Sequence, residues 1–289
     1  MKKQQCVVQA QLCRCVMTLE VKGSSSSGIL ICANGTFLNF TPREFAIITG
    51  LNCVSNRYDF IFDEGVPNRM VEKYFNGAEI IQKRQLFLAF TEKVWGENND
   101  EDAEKFAILY FLHLFVLSNV ETVIIPCLHF DLVDSGRYKD FSWGSLSFED
   151  LARCLNNWLK SGGQFYLIQG MPLAIQVWLY ECCSNVPLKI ASKVDNRILR
   201  LLNWKMIAPR PHFEFLMNAM FNDNGKEGPE QKVKSHFQED TEQKVKYGMG
   251  RQSIMDFGSD YGELRYKLGL ETDGNDDVVF SDVPVLQLQ

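Results

Sequence analysis

Seven consecutive apolar residues, Phe106-Ala107-Ile108-Leu109-Tyr110-Phe111-Leu112, leave a helix through this segment with no polar side. In a chain that folds in water such a helix has to be surrounded by other elements. A second run, from Pro172 through Tyr180, is nearly as apolar, with the proline placed where a helix opens. Helices packed on helices follow, so the expected class is mainly α, with strand minor. The apolar stretch from 106 to 117 is interrupted by His113 and is too short for the about 20 residues that cross a bilayer. No membrane span is expected.

Helix boundaries are legible at several points. Thr41 is placed to cap the first turn of a helix, with Pro42 at the first helical position and Glu44 able to reach back in a capping box. Phe40 and Phe45 stand at hydrophobic-staple positions, and Gly50 supplies the left-handed C-cap. Ile80 to Trp95 reads as helical up to Gly96, and the acidic run from Glu97 to Asp102 suits the positive end of the helix that follows from Ala103. Val120 to Val133 fits strand or helix equally. Ser147 with Asp150 reads as a further N-cap ahead of Phe148, Leu151, Leu155, Trp158 and Leu159. Val194, Ile198, Leu201 and Leu202 recur at helical spacing beside Lys193, Arg197 and Arg200, which predicts an amphipathic helix with a basic shoulder.

Four motifs carry a family resemblance: Phe40-Thr41-Pro42-Arg43-Glu44-Phe45 through Gly50-Leu51; Leu109-Tyr110-Phe111-Leu112; Phe141-Ser142-Trp143-Gly144 with Ser147-Phe148-Glu149; and Gly170-Met171-Pro172 through Trp178-Leu179-Tyr180-Glu181. In this order they resemble a plant-specific domain of unknown function, found in transposon-derived genes and often placed upstream of a SUMO-protease-like cysteine peptidase. The resemblance covers roughly residues 36 to 205. It implies structural roles for Thr41, Pro42, Glu44, Phe45, Gly50, Trp143, Gly144, Gly170, Pro172, Trp178 and Glu181. The activity of that family is not established, so no catalytic residue comes with it. The peptidase family pairs a His-Trp step with a Cys-Gly step, whereas here the four histidines precede Leu or Phe and no cysteine precedes glycine.

Composition divides the chain. Residues 1 to 221 hold 22 basic and 22 acidic side chains, and residues 222 to 289 hold 8 and 14, so the net charge of −6 resides in the tail. The expected organisation is a loose N-terminal arm (1–35) ahead of the Ser24–Gly28 spacer, one helical domain (36–221), and a charged, largely disordered tail (222–289). Nine cysteines, an odd number with several inside apolar patterns, suit a reduced intracellular protein of the nucleus or cytoplasm.

Candidate chemistry is sparse. Cys127, His129, Asp131 and Asp134 offer a nucleophile, a base and carboxylates within eight residues, but a lone histidine between Leu128 and Phe130 is more often a hydrogen-bonded core residue. Metal-ligand spacing and phosphate-binding glycine loops are absent from the sequence, so no metal and no cofactor is expected. The chain therefore reads as a noncatalytic, protein-binding module rather than an enzyme. The alternatives are a nucleic-acid-associated protein working through Lys193, Arg197, Arg200, Lys205 and Arg210, or a decayed fragment of a SUMO-protease-like gene. A continuous basic groove would favour nucleic acid, and scattered charge a protein partner.

Overall fold

The computed structural model describes residues 8–21, 28–63, 66–161, 165–166, 168–183, 186–207, 210–221 and 286–287, of which 157–161, 165–166 and 286–287 are described by their backbone alone. The first half of the chain forms α1 (Ala10–Leu19), β1 (Ile29–Ala33), β2 (Thr36–Phe40), α2 (Pro42–Thr49), α3 (Arg69–Phe75), β3 (Ile81–Gln82), α4 (Lys83–Thr91) and α5 (Asp100–Phe111). A π-helical segment (Leu112–Val116) continues α5, and β4 (Ile124–Ile125), α6 (Cys127–Asp134) and α7 (Trp143–Ser161) follow. Beyond these lie β5 (Phe165–Tyr166), α8 (Pro172–Cys182), β6 (Ala191–Lys193), β7 (Trp204–Met206), α9 (Phe213–Leu216) with a π turn to Phe221, and β8 (Leu286–Gln287). The protein is mainly helical, and its described strands pair two by two, all antiparallel.

Two compact units separate where one domain was expected: residues 1–51, 152–167 and 172–289 in the first, and 52–151 with 168–171 in the second. In the first unit α8 is buried at every residue from Pro172 to Tyr180, as its sequence requires. Its lone amide, Gln176, accepts the backbone N–H of Gln9 at 2.7 Å, while Tyr180 donates to Gln9 Oε1 at 2.5 Å. Those bonds bring α1 into the core, where Leu12, Cys13, Cys15, Val16 and Met17 are each at most 1% exposed. The segment expected to be a loose arm is thus a docked helix, because its apolar residues have the buried surface of α8 to cover. Behind it β1 and β2 form a hairpin through Asn34-Gly35, both at positive φ (51° and 73°), the turn that such a dipeptide favours.

The capping box of α2 forms as the sequence predicts. Thr41 Oγ1 accepts from Arg43 N at 3.2 Å, Glu44 accepts the N–H of Thr41 at 3.0 Å, and Gly50 ends the helix at φ 71°. Phe40 and Phe45 sit 6.2 Å apart, both fully buried, and Phe40 also packs on Trp178 at 5.0 Å.

In the second unit α5 begins at Asp100, capped by Asn99, whose side chain accepts from Asp102 N at 3.2 Å. The ambiguous stretch 120–133 is both strand and helix, broken at Pro126. The helix expected to start after Ser147 starts at Trp143 instead. Ser147 is fully buried and donates to Val116 O at 2.6 Å, so its hydroxyl bonds outside the helix rather than capping it. Gly170, at φ 75°, brings its N–H to 2.7 Å from Leu117 O, and a side chain there would stand within 3.0 Å of Leu151 N. Only glycine fits both demands. The tail expected to be disordered lies outside the described residues apart from Leu286–Gln287, which align with Phe165–Tyr166.

Trp143 anchors this unit: it is 2% exposed, donates from Nε1 to Tyr138 O at 2.9 Å and packs 4.6 Å from Phe141. Trp143→Ala should lower the unfolding free energy by about 3–5 kcal/mol. Urea denaturation checks this, and an unchanged midpoint would place the indole outside the core.

Candidate functional site

The predicted basic shoulder is not an α-helix: only Arg200–Asn203 form a short 3-10 turn. Asn203, 1% exposed, accepts Arg197 N on its side-chain oxygen at 2.7 Å, donates to Arg197 O at 2.9 Å, and takes Val194 N on its backbone carbonyl at 2.8 Å. These bonds hold the 194–203 connection as the bend of a β6–β7 hairpin, so the backbone groups a helix would pair four residues apart are already engaged. Val194 and Ile198, expected on a buried face, are 52% and 70% exposed. The five candidate cations diverge as a result. Lys193 and Arg200 turn to Glu181, at 3.5 and 3.4 Å, a carboxylate only 9% exposed that also accepts Trp204 Nε1 at 2.7 Å. Arg197 pairs with Asp195 at 2.5 Å, while Lys205 and Arg210 are exposed. Lys193 faces Trp204 in the ladder and Lys205 faces Ser192, so the two lysines fall on opposite sides of the hairpin. No continuous basic groove is formed by these residues.

A different surface, passed over in the sequence, is built with more care. Residues 52–63 connect α2 to α3, and the polar groups of Asn52 and Arg57 are committed to the scaffold, while Asn56, Asp59 and Asp63 are exposed. Asn52 Oδ1 accepts from Val54 N and Ser55 N at 2.9 and 3.3 Å, and its Nδ2 donates to Asp140 O at 3.0 Å. Asn52 O receives Gly144 N at 2.9 Å; a Cβ on Gly144 would lie 2.7 Å from that oxygen, which is why the Trp-Gly step needs glycine. Arg57 Nη2 reaches both oxygens of Glu149 at 2.8 and 2.9 Å. Arg137 lies between two rings, 4.9 Å from Phe60 and 5.0 Å from Phe62, and donates to Asp59 O at 3.2 Å. Phe60 meets Phe141 edge-on at 5.2 Å. Outward point the apolar side chains: Val54 is 92% exposed, Tyr58 85% and Ile61 80%. The segment inverts the usual arrangement of a surface loop. Its sequence signal was the alternation Arg57-Tyr58-Asp59-Phe60-Ile61-Phe62-Asp63.

The residues considered for catalysis are dispersed over α6. Cys127 is exposed, Asp131 accepts from Asn68 Nδ2 at 2.7 Å, and Asp134 is held by Arg69 and Lys105 at 2.7 and 2.9 Å. His129 turns inward and shares a hydrogen bond of 3.2 Å with His113 Nε2, beneath Trp143 at 4.9 Å. His113 Nδ1 is buried without a partner. A bare lone pair there costs less than a buried unpaired N–H, so His113 carries its proton on Nε2 and donates it to His129 Nδ1. Burial pushes His129 down to about 4 and holds His113 well below the ordinary histidine range, where the charges of His129 and Lys83 also oppose protonation. Both imidazoles are neutral at pH 7, and neither is placed to serve as a base for Cys127.

One cluster went unread in the sequence. Asp102, 3% exposed at its side chain, accepts from Arg69 at 2.6 and 3.1 Å, Lys73 at 3.0 Å, Asn99 at 2.7 Å and Tyr74 at 2.5 Å. The Arg69 guanidinium, followed by Tyr74, Lys73 and Asn99, holds its carboxyl far below the ordinary range. Both carboxylate oxygens are engaged, which makes Asp102 a structural tie between α3 and α5. No group of three metal-ligating side chains converges among the described residues, and no described helix is long and apolar enough to cross a membrane.

Residues 17–154 match the family model described as a domain of unknown function (DUF1985). No curated protein and no solved structure matches. The DUF1985 region takes in just under half of the chain. It contains the whole 52–63 loop, the Asp102 cluster and both buried histidines, and it begins within α1, upstream of the resemblance read at 36. The Gly170–Glu181 motif lies outside it.

Removing the Asp102 carboxylate leaves Arg69 and Lys73 without their shared partner, so Asp102→Ala should destabilise the fold by about 3–5 kcal/mol, measurable by denaturant unfolding. The histidine pair sets a pH dependence. Its folded pKa values lie below the unfolded value near 6.5, so stability is complete above pH 6.5 and falls as protons bind the unfolded chain, the share due to His129 levelling off near pH 4, where it titrates in the fold. Unfolding midpoints between pH 7.5 and about 4.5 should show this slope, and His113→Leu with His129→Phe should flatten it.

Proposed function

We propose that the chain is a noncatalytic protein-interaction module whose contact surface is the 52–63 loop. The observation that carries this reading is the loop's inversion: Asn52, Asn56, Arg57 and Arg137 fix the backbone, and Val54, Tyr58 and Ile61 are presented to solvent. Exposed apolar side chains on a rigid platform lose little entropy on docking, and an aromatic anchor beside an aliphatic one is a common hot-spot composition. Dispersal of the Lys193–Arg210 cations, three of them on Glu181 or Asp195, weighs against the nucleic-acid reading.

The resemblance to the domain that precedes SUMO-protease-like peptidases in plant transposon-derived genes gives the module a context: recruiting a protein partner, or positioning a catalytic domain. The eight described cysteines all carry free thiols, which supports a reducing compartment, nuclear or cytoplasmic. The reading invokes no metal, cofactor or membrane.

Tyr58→Ser and Ile61→Ser should leave the unfolding midpoint unchanged, since both side chains face solvent. Each should weaken binding of any partner captured by the wild-type chain by about 30-fold, the loss expected of a hot-spot side chain worth about 2 kcal/mol. Equal affinity for wild type and variants would move the interface elsewhere. An electrophilic ubiquitin or SUMO probe should label no cysteine; labelling abolished by one Cys→Ala substitution would make the protein an enzyme.

A further inference from the structure

The hairpin of the first unit carries a second unusual surface. Between 188 and 207 it exposes Leu188 at 77%, Ile198 at 70%, Val194 at 52% and Ile207 at 48%, interleaved with the exposed cations Lys189, Arg197 and Lys205. Lys193, on the other side of the hairpin, turns to Glu181, a carboxylate itself 9% exposed, and Arg197 pairs with Asp195. Even paired, Arg197 keeps 38% of its side chain in solvent. A ligand for this surface has to be apolar and acidic together, because an apolar segment alone would strand the cations and an acidic one alone would leave the aliphatic side chains wet.

The chain contains such a segment. Residues 256–283 hold eight acidic side chains against Arg265 and Lys267, interspersed with Phe257, Tyr261, Leu264, Tyr266, Leu268, Val278, Val279 and Phe280. The path is short. The segment follows Phe221, at the end of the π turn that continues α9, and α9 lies against the hairpin, with the Lys189 ammonium 4.2 Å over the Phe215 ring. The 34 residues from 222 to 255 span up to about 110 Å when extended, so reach is no obstacle, and a covalent tether raises the local concentration of the segment to about the millimolar range.

We propose that residues 256–283 of the chain's own C-terminal segment dock on the outward side of the β6–β7 hairpin. The contact is intramolecular, joins apolar burial to charge pairing, and covers the hairpin surface until a more strongly acidic partner displaces it. It is independent of the 52–63 surface, which lies in the other unit, so either can fail alone.

Zero-length carbodiimide cross-linking of the full chain, followed by peptide mass spectrometry, tests this. The expected result is monomeric product with Lys189 or Lys205 joined to Asp or Glu within 256–283. Yield should fall at least fivefold when salt rises from 0.05 to 0.5 M, and by as much in the Ile198→Asp, Lys205→Glu double variant, whose unfolding midpoint should match wild type because both side chains are exposed. A Phe257→Ser, Tyr261→Ser variant, which leaves the hairpin intact, should reproduce the loss. Cross-links from the hairpin to other parts of the chain, yields indifferent to salt and to both variants, or products found only between two copies would overturn the proposal, the last assigning the surface to a second copy.

Discussion

A helix with no polar side has to be enclosed, and α8 places that demand at the centre of the first unit. Every residue from Pro172 to Tyr180 is buried, so α1 and α2 pack on it and the β6–β7 hairpin closes its end. Burial of Gln176 and Tyr180 then demands partners, and Gln9 supplies them. An amide left unpaired in that position would cost about 1–3 kcal/mol, so the bond ties the start of the chain to a helix 167 positions later. Glu181, just beyond the enclosed stretch, sits where water is nearly gone and cations are still reachable. Two of the presumed surface cations, Lys193 and Arg200, are drawn to it, and the electrostatic character of the surface changes accordingly.

The second unit is organised by polar satisfaction. Asp102 gathers donors from α3 and from its own helix cap, and Asp134 shares Arg69 with it, so α3, α5 and α6 are linked by charge-assisted hydrogen bonds as well as by Phe75, Phe106 and Phe130. The close approach of Asn52 to Gly144 does the same for the 52–63 loop, because a backbone carbonyl held against the first turn of α7 leaves the loop little freedom. With Asn52, Arg57 and Arg137 engaged by the scaffold, the loop presents Val54, Tyr58 and Ile61 to water among the exposed Asn56, Asp59 and Asp63. Such a surface is stable as a solvated element only because the interior bonds outweigh the exposed area, which is the ground for the proposed contact role.

Local physics accounts for what was legible in advance. The capping box at Thr41–Glu44, the staple of Phe40 and Phe45, the Gly50 cap and the acidic first turn of α5 each depend on residues within a few positions of one another. The same holds for the all-apolar character of α5 and α8, which dictates enclosure whatever the neighbours are. The Asn34-Gly35 hairpin belongs to this class: its turn dipeptide and flanking apolar residues are a sufficient signal, and it went unread only because the segment was taken for an arm.

Tertiary structure decided the rest, since the deciding partner is distant in each case. Val194, Ile198, Leu201 and Leu202 have helical spacing, but Asn203 captures the backbone they would have used. Ser147 has the look of a cap until Val116 O, 31 residues away, takes its hydroxyl. Asp102 with Arg69, Arg57 with Glu149, and His113 with His129 pair across 33, 92 and 16 positions. A one-dimensional pattern states which faces must be hidden and which ends must be capped; it does not state which distant donor will meet a given acceptor, because that pairing is settled only when the helices have chosen their neighbours.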